Sequence, residues 1–86
     1  MAITMRVVVE LLGPVREAVG SPIVELELDA GATVADLGRA LAARAGSPIA
    51  PLLERCRFAA GDRVVDPETP VEGLGTVVVI PPVSGG

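Results

Sequence analysis

The stretch TVVVIP, residues 76–81, is a continuous apolar run that stands almost at the end of an 86-residue chain. Runs of this kind are typical of strands that are buried on both faces in the middle of a sheet. We therefore predict that the last strand of the chain lies at the centre of its sheet. The first strand, MRVVVELL (5–12), is also rich in β-branched residues, and we predict that it lies beside the last one and parallel to it.

A second strand and one main helix follow from hydrophobic periodicity. The segment IVELELD (23–29) alternates apolar and acidic residues, which predicts a strand with one solvated face, antiparallel to the first. The segment GATVADLGRALAARAG (31–46) has apolar residues at helical spacing. Thr33 is placed to cap this helix together with Asp36, and Gly38 on its apolar stripe leaves room for close packing against the sheet.

Proline and glycine divide the rest of the chain into short pieces. Pro14 is placed to open one helical turn over residues 15–19, and residues 47–53 are predicted to form a loop with a short turn. The segments CRFAAG (56–61) and RVVD (63–66) flank a glycine–aspartate pair and predict a hairpin. Strand, strand, helix and two or three further strands in a chain of this length predict one two-layer domain.

The composition limits the partners and the compartment that we expect. Half of the residues are apolar and Phe58 is the only aromatic one, so the core must be aliphatic. A net charge of −4 argues against nucleic acid and anionic membranes, which bind basic surfaces, and favours a partner with a basic groove. The single cysteine permits no internal disulfide, and no stretch has the pattern of a membrane span or a signal peptide. We therefore expect a cytoplasmic protein.

The residue types that are absent exclude most catalytic sites. Without histidine the chain has no Ser-His-Asp or Cys-His site and no ordinary zinc site. Cys56 has no neutral base to activate it, so we interpret it as a buried structural cysteine. No glycine-rich loop has the spacing of a phosphate-binding motif. We expect a protein that is not itself an enzyme and that binds no metal or cofactor.

The segment PPVSGG, residues 81–86, offers a different kind of chemistry. Pro81 and Pro82 hold the chain extended, because proline fixes φ and disfavours the helical region for the residue before it. The small Val83 and Ser84 follow, and a pair of glycines without Cβ atoms completes a segment that fits a narrow tunnel. The α-carboxylate of the last glycine is a reactive group once it is activated. From composition alone, a working arm and a frayed terminus without function both remain open.

The segment VVVIPPVSGG behind a strand–strand–helix–strand order resembles the ubiquitin-like sulfur carriers of the ThiS/MoaD family. The resemblance is strongest to the small subunits of molybdopterin synthase, and GATVADLGRALAAR and LLERCRFAAGDRVVD also look like parts of those chains. It implies an α+β, β-grasp fold, with a mixed sheet of four to five strands packed on one main helix. It also implies a domain over residues 1–80 and a flexible tail over residues 81–86.

The same resemblance implies roles for the tail. Gly86 would be adenylated by a ubiquitin-activating-like adenylyltransferase that uses ATP, and a sulfur donor would then supply a thiocarboxylate. The tail would enter the large subunit of molybdopterin synthase and deliver sulfur to a pterin precursor. Gly85 would provide clearance in that tunnel. The residues that position the tail would be Pro81, Pro82, Val83 and Ser84.

Two alternatives to the molybdopterin pathway stay open at this point. The chain is also compatible with a sulfur carrier for thiamine, cysteine or tRNA thiolation, and with a ubiquitin-like protein modifier. Many relatives have an aromatic residue where this chain has VELLGPVREAVG, which weakens the assignment within the family. The outward apolar positions Val8 and one side of residues 77–80 are candidates for a partner-docking surface, with burial in central strands as the competing explanation.

Overall fold

A computed structural model describes residues 3–46 and 49–82 of the chain. These residues form one five-stranded sheet and three helices, and the strand order across the sheet is β2-β1-β5-β3-β4. In chain order the elements are β1 (Thr4–Leu11), α1 (Gly13–Val19), β2 (Ile23–Asp29), α2 (Val34–Ala45), α3 (Ala50–Glu54), β3 (Arg57–Ala60), β4 (Arg63–Val65) and β5 (Val77–Ile80).

The last strand lies at the centre of the sheet, as predicted. On one side β5 pairs in parallel with β1, with Val9 beside Val77 and Leu11 beside Val79. On the other side it pairs antiparallel with β3. The predicted antiparallel pair of β1 and β2 is also present, and its register runs over seven residue pairs from Thr4–Asp29 to Glu10–Ile23. The sheet is therefore mixed.

The helices all lie on one face of this sheet. Val15 of α1, Leu37 of α2 and Leu53 of α3 belong to the same buried cluster as the inward side chains of the strands. One part of the prediction for β5 was wrong: the strand is not fully buried on both faces. Val77 and Val79 are completely inaccessible, whereas Val78 and Ile80 on the opposite face are only half-buried. In the described residues no helix contributes to this second face, which we call the outer face.

The main helix begins where the sequence predicts it. Asp36 N–H donates to Thr33 Oγ1 at 3.3 Å and Thr33 N–H donates to Asp36 Oδ2 at 2.9 Å, which completes the capping box. The next free amides of the helix are satisfied by the loop before β5, because Val34 and Ala35 donate to carbonyls of residues 69 and 67. The first turn of α2 is thereby fixed to the chain that leads into the central strand.

Close packing at Gly38 is confirmed. A methyl group at Gly38 would lie 3.5 Å from the ring of Phe58, so the helix sits close to β3 at that point. Arg44 donates to the backbone carbonyl of Glu25 at 3.2 Å and ties the last turn of α2 to the edge strand. Two helices differ from the prediction: α1 begins at Gly13, and the proline-containing loop holds the five-residue α3.

Candidate functional site

The central strand ends in two prolines at the point where the predicted tail begins. Ile80 is the last residue of β5 and pairs with Arg57 of β3. Pro81 and Pro82 carry no N–H, so neither can donate to the ladders on the two sides of the strand. Both prolines are half-buried against the body of the protein. The sheet therefore stops at Ile80 for a chemical reason, and the chain leaves from the middle of the sheet.

Only part of the predicted site lies within the described residues. Pro81 and Pro82 are described, whereas Val83, Ser84, Gly85 and Gly86 lie outside the described residues. The structure consequently shows how the tail is attached and where it starts. The roles assigned to its last four residues stay predictions.

The attachment point contacts one residue that the sequence did not single out. Gly13, the first residue of α1, has a positive φ of 56°. A methyl group at Gly13 would lie 3.1 Å from Cγ of Pro81, which is closer than ordinary van der Waals contact. The signal that was missed is the register of β1 and β5, since it brings the ends of both strands to the same edge of the sheet.

The outer face beside the tail is apolar at its centre and acidic on one side. Val8 of β1 and Val78 and Ile80 of β5 are half-buried there, so burial in central strands accounts for these positions only in part, and their role in docking stays a prediction. Toward the edge strand β2 the face carries the acidic side chains of Glu10, Glu25, Glu27 and Asp29. Arg6 neutralises part of this charge through an exposed ion pair with Glu25, with N and O atoms 3.4 Å apart. This surface suits an apolar partner surface with a basic margin.

The single cysteine is not built as a nucleophile. The Cys56 thiol donates to the carbonyl of Leu52 at 3.2 Å. Burial raises the pKa of the Cys56 thiol above its ordinary value, and the nearby charge of Arg55 opposes this only in part. The thiol is therefore protonated at neutral pH, which agrees with a structural role. The side chain is half-buried rather than buried as predicted, because it lines an open groove.

That groove, of about 890 Å³, opens on the helical side between α2, α3 and the β3–β4 hairpin. Its floor is apolar and includes the Gly38–Phe58 contact, and charges of both signs line it: Arg39, Glu54 and Asp66. Within residues 3–46 and 49–82, no group of three or more potential ligand side chains is placed to hold a metal ion. None of the described helices is long and apolar enough to cross a membrane.

Comparison with solved structures identifies the fold. SAMP1, a small archaeal modifier protein from Haloferax volcanii, superposes with a TM-score of 0.80 at 20% identity and covers 95% of this chain and 100% of its own. A Pyrococcus furiosus protein assigned as molybdopterin converting factor subunit 1 gives a TM-score of 0.77 at 24% identity, with 92% and 99% covered. Both likenesses confirm the predicted β-grasp, ubiquitin-like fold.

A third solved structure is a complex. It contains subunits 1 and 2 of the molybdopterin-converting factor from Helicobacter pylori, and its match has a TM-score of 0.58 at 26% identity, covering 95% of this chain and 100% of the matched one. The chain has no significant match among curated protein sequences. The family model of the ThiS family matches residues 9–86, which is most of the chain and includes both terminal glycines. The chain therefore belongs to the ThiS family, within the ThiS/MoaD group of ubiquitin-like sulfur carriers.

Proposed function

We propose that this protein is the sulfur carrier of a molybdopterin synthase and that the α-carboxylate of Gly86 is its working group. A carboxylate oxygen attacks the α-phosphorus of ATP in a separate adenylyltransferase, and pyrophosphate leaves. Sulfur at the oxidation level of sulfide, supplied by a donor as a hydrosulfide equivalent, then attacks the carbonyl carbon and AMP leaves, so that sulfur replaces one oxygen. The thiocarboxylate is carried into the large subunit, where its sulfur is transferred to a pterin precursor. The catalytic groups for these steps belong to the partner proteins.

The observation that carries this proposal is the family match through Gly86, on a fold whose central strand ends in Pro81-Pro82. The arm is attached at the centre of the sheet. When the folded domain binds a partner, the start of the arm is therefore held in a fixed position relative to that partner. The two prolines limit the conformations of the arm's first residues, which lowers the entropy lost when the arm enters a tunnel.

The absence of lysine is useful for a protein with an activated terminus. The sequence contains no lysine, so its N-terminus is the only amine of the chain. An adenylated Gly86 is an acylating agent, and lysine amines are the nucleophiles that would divert it into isopeptide bonds. A carrier without lysine cannot be consumed by such bonds to side chains of other copies of itself.

The outer face supports a large-subunit partner. The Helicobacter pylori structure is a complex of subunit 1 with subunit 2, and this chain is similar to a chain of that complex. Val8, Val78 and Ile80 form an apolar strip next to the tail, and the acidic margin toward β2 lies beside it. We propose that the large subunit covers this strip, so that one contact buries apolar surface and aims the arm.

The experiment that tests the carrier proposal is an intact-mass measurement. The protein is incubated with ATP, an adenylyltransferase of this family and a sulfur donor. We expect a species heavier by the difference between sulfur and oxygen. A persulfide on Cys56 would instead add a whole sulfur atom, and the Cys56→Ala variant removes that site as a control. If the wild-type chain gains no sulfur in place of oxygen, the proposal is wrong.

Two tail variants locate the modified group. Deletion of Gly86, and extension of the chain by one residue after it, should both abolish sulfur transfer to the pterin precursor without changing the thermal melting curve. Transfer by either variant would show that the carboxylate of Gly86 is not the working group. The receiving enzyme decides the pathway: transfer with a thiazole synthase, but not with a molybdopterin synthase large subunit, would place the carrier in thiamine synthesis.

A protein modifier is the second candidate function, and the fold shared with SAMP1, named as a modifier, favours it. The two functions share the adenylation step and differ in the nucleophile that follows. A modifier would form isopeptide bonds with lysines of other proteins, and trypsin would leave residues 64–86 on those lysines as remnants, because Arg63 is the last basic residue of the sequence. Expression of the wild-type chain and of the chain without Gly86 in the same host, followed by a search for these remnants, separates the two.

A further inference from the structure

We propose that Gly13 is a positioning residue for the tail: its bare backbone supports the ring of Pro81 and thereby sets the direction in which the chain leaves the sheet. This inference rests on the proposed function of the tail. It concerns a residue 73 positions away from Gly86 in the sequence and on a different element.

The register of the central strands brings the two residues together. Leu11 lies beside Val79 in the parallel pair of β1 and β5. Continuing that register by two residues places Gly13 beside Pro81, at the point where both strands have ended. The distances in the structure agree, since a Cβ atom at Gly13 would lie 3.1 Å from Cγ and 3.9 Å from Cβ of Pro81.

Pro81 needs such a support because it cannot donate a backbone hydrogen bond. Its nitrogen carries no proton, so the ladder that fixes residues 77–80 cannot continue through it. Packing is what remains to hold the ring, and the half-buried ring lies against Gly13. Any side chain at position 13 would occupy the space of the ring and push Pro81 aside by a few tenths of an ångström or more.

A displacement at Pro81 changes where the arm starts and in which direction it leaves the sheet. Pro81 precedes Pro82, and both fix φ, so the first part of the arm has little freedom to absorb a shift. Attack on the phosphorus of ATP requires the carboxylate within reach of the reacting atom, and misplacement by about 1 Å reduces rates by about a hundredfold in other enzymes. The contact between Gly13 and Pro81 therefore affects the adenylation of the Gly86 carboxylate indirectly, through the position at which the arm starts.

The competing explanation is that Gly13 is needed only for its backbone conformation. Its φ of 56° is unfavourable for most residues with a side chain. The same helix offers a matched control, because Gly20 at the other end of α1 has a φ of 87° and nothing within 4 Å of a Cβ atom placed there. A side chain at Gly20 meets the same kind of backbone strain without meeting Pro81.

The experiment compares Gly13→Ala with Gly20→Ala in two measurements. The first is the melting temperature, which should fall in both variants. The second is the steady-state rate of thiocarboxylation by the adenylyltransferase, as kcat and KM for the carrier. We expect kcat/KM to fall by about tenfold or more in Gly13→Ala and to stay at the wild-type value in Gly20→Ala, at a temperature where both are folded. Equal values for the two variants would overturn the inference.

A double variant tests the contact itself. Pro81→Ala removes Cγ, the nearest atom to position 13, so the effect of Gly13→Ala on kcat/KM should shrink when it is made in the Pro81→Ala background. Additive effects would show that Gly13 does not act through Pro81. If the alanine variants do not fold, Gly13→Asn and Gly20→Asn replace them, because asparagine tolerates positive φ and still carries a Cβ atom.

The wild-type reaction separates the two proposals. A wild-type chain that gains no sulfur refutes the carrier function, and the role of Gly13 falls with it. A wild-type chain that gains sulfur, with both glycine variants behaving alike, refutes only the role of Gly13.

Discussion

At the scale of single residues, close approach between backbone and ring recurs at two glycines with different consequences. Gly13 lies against Pro81 at a distance that no Cβ atom would tolerate without movement. Gly38 lies against Phe58, and a methyl group there would meet the ring at 3.5 Å, an ordinary van der Waals distance. A side chain at Gly13 would therefore displace Pro81, whereas position 38 also has room for alanine.

We predict that Gly38→Ala stabilises the protein. Gly38 is inside α2, and glycine in a helix interior costs about 0.5–1 kcal/mol relative to alanine. Because the added methyl fits against Phe58, the free energy of unfolding in urea should rise by up to that amount. The matched variant Gly38→Val adds two further methyl groups beyond the one of alanine and should lower the stability by about 1–3 kcal/mol through overpacking. A loss of stability in Gly38→Ala would mean that the contact is already strained.

At the scale of elements, the start of α2 is the best-defined junction of the fold. Thr33 and Asp36 cap the helix, and the carbonyls of residues 67 and 69 accept its next two amides. Hydrogen bonds from the Thr33 backbone, and then from Arg39, hold the pKa of the Asp36 carboxyl below its ordinary value of 3.8. The ionised carboxylate is thus a favoured state of the folded chain.

The cap gives a pH-dependent prediction. Because the pKa of Asp36 is lowered on folding, its contribution to stability is fully present above pH 3.8 and is lost as the pH falls below that value. Urea unfolding at neutral pH should show Thr33→Ala destabilised by about 1 kcal/mol. Asp36→Asn should lie below the wild type at neutral pH and approach it at about pH 3. A constant difference at both pH values would show that the charge of Asp36 does not matter.

The elements also show which features were predictable from the sequence. The valine-rich first and last strands predicted the centre of the sheet because only a central strand can be so apolar, and Thr33 with Asp36 predicted the cap because that chemistry is local. The Gly13–Pro81 contact was not predictable from local sequence, since it depends on the register between two distant strands. The half-exposed face of β5 was missed because a run of valines does not reveal which face the helices cover. The roles of Gly85 and Gly86 stay predictions.

At the scale of the whole molecule, the two faces of the sheet differ in what they contact. The helical face holds the aliphatic core, and the outer face presents Val8, Val78 and Ile80 beside the start of the tail. The acidic residues of β2 lie on this same outer face. A partner that covers the apolar strip therefore contacts acidic side chains on the side of β2 and lies next to the start of the tail.

We predict that Val78→Asp weakens binding of the large subunit by about tenfold or more, because it places a carboxylate at the centre of the contact. Ile3→Asp is the control, since Ile3 is 76% exposed and precedes β1, at the opposite end of the sheet from Pro81. Calorimetric titration with the large subunit measures both, and circular dichroism checks that each variant is folded. Equal affinities of Val78→Asp and Ile3→Asp for the large subunit would show that the outer face is not the docking surface.

The parallel pair of β1 and β5 also has a consequence for how the protein is made. Its register begins with Val9 beside Val77, so two neighbouring strands at the middle of the sheet are far apart in the sequence. Such distant pairing cannot form while the nascent chain is still short, since synthesis proceeds from the N-terminus. Native structure must therefore wait until the ribosome has added β5, only a few codons before Gly86. A prematurely terminated product that ends before Val77 lacks the central strand and therefore cannot form the native sheet.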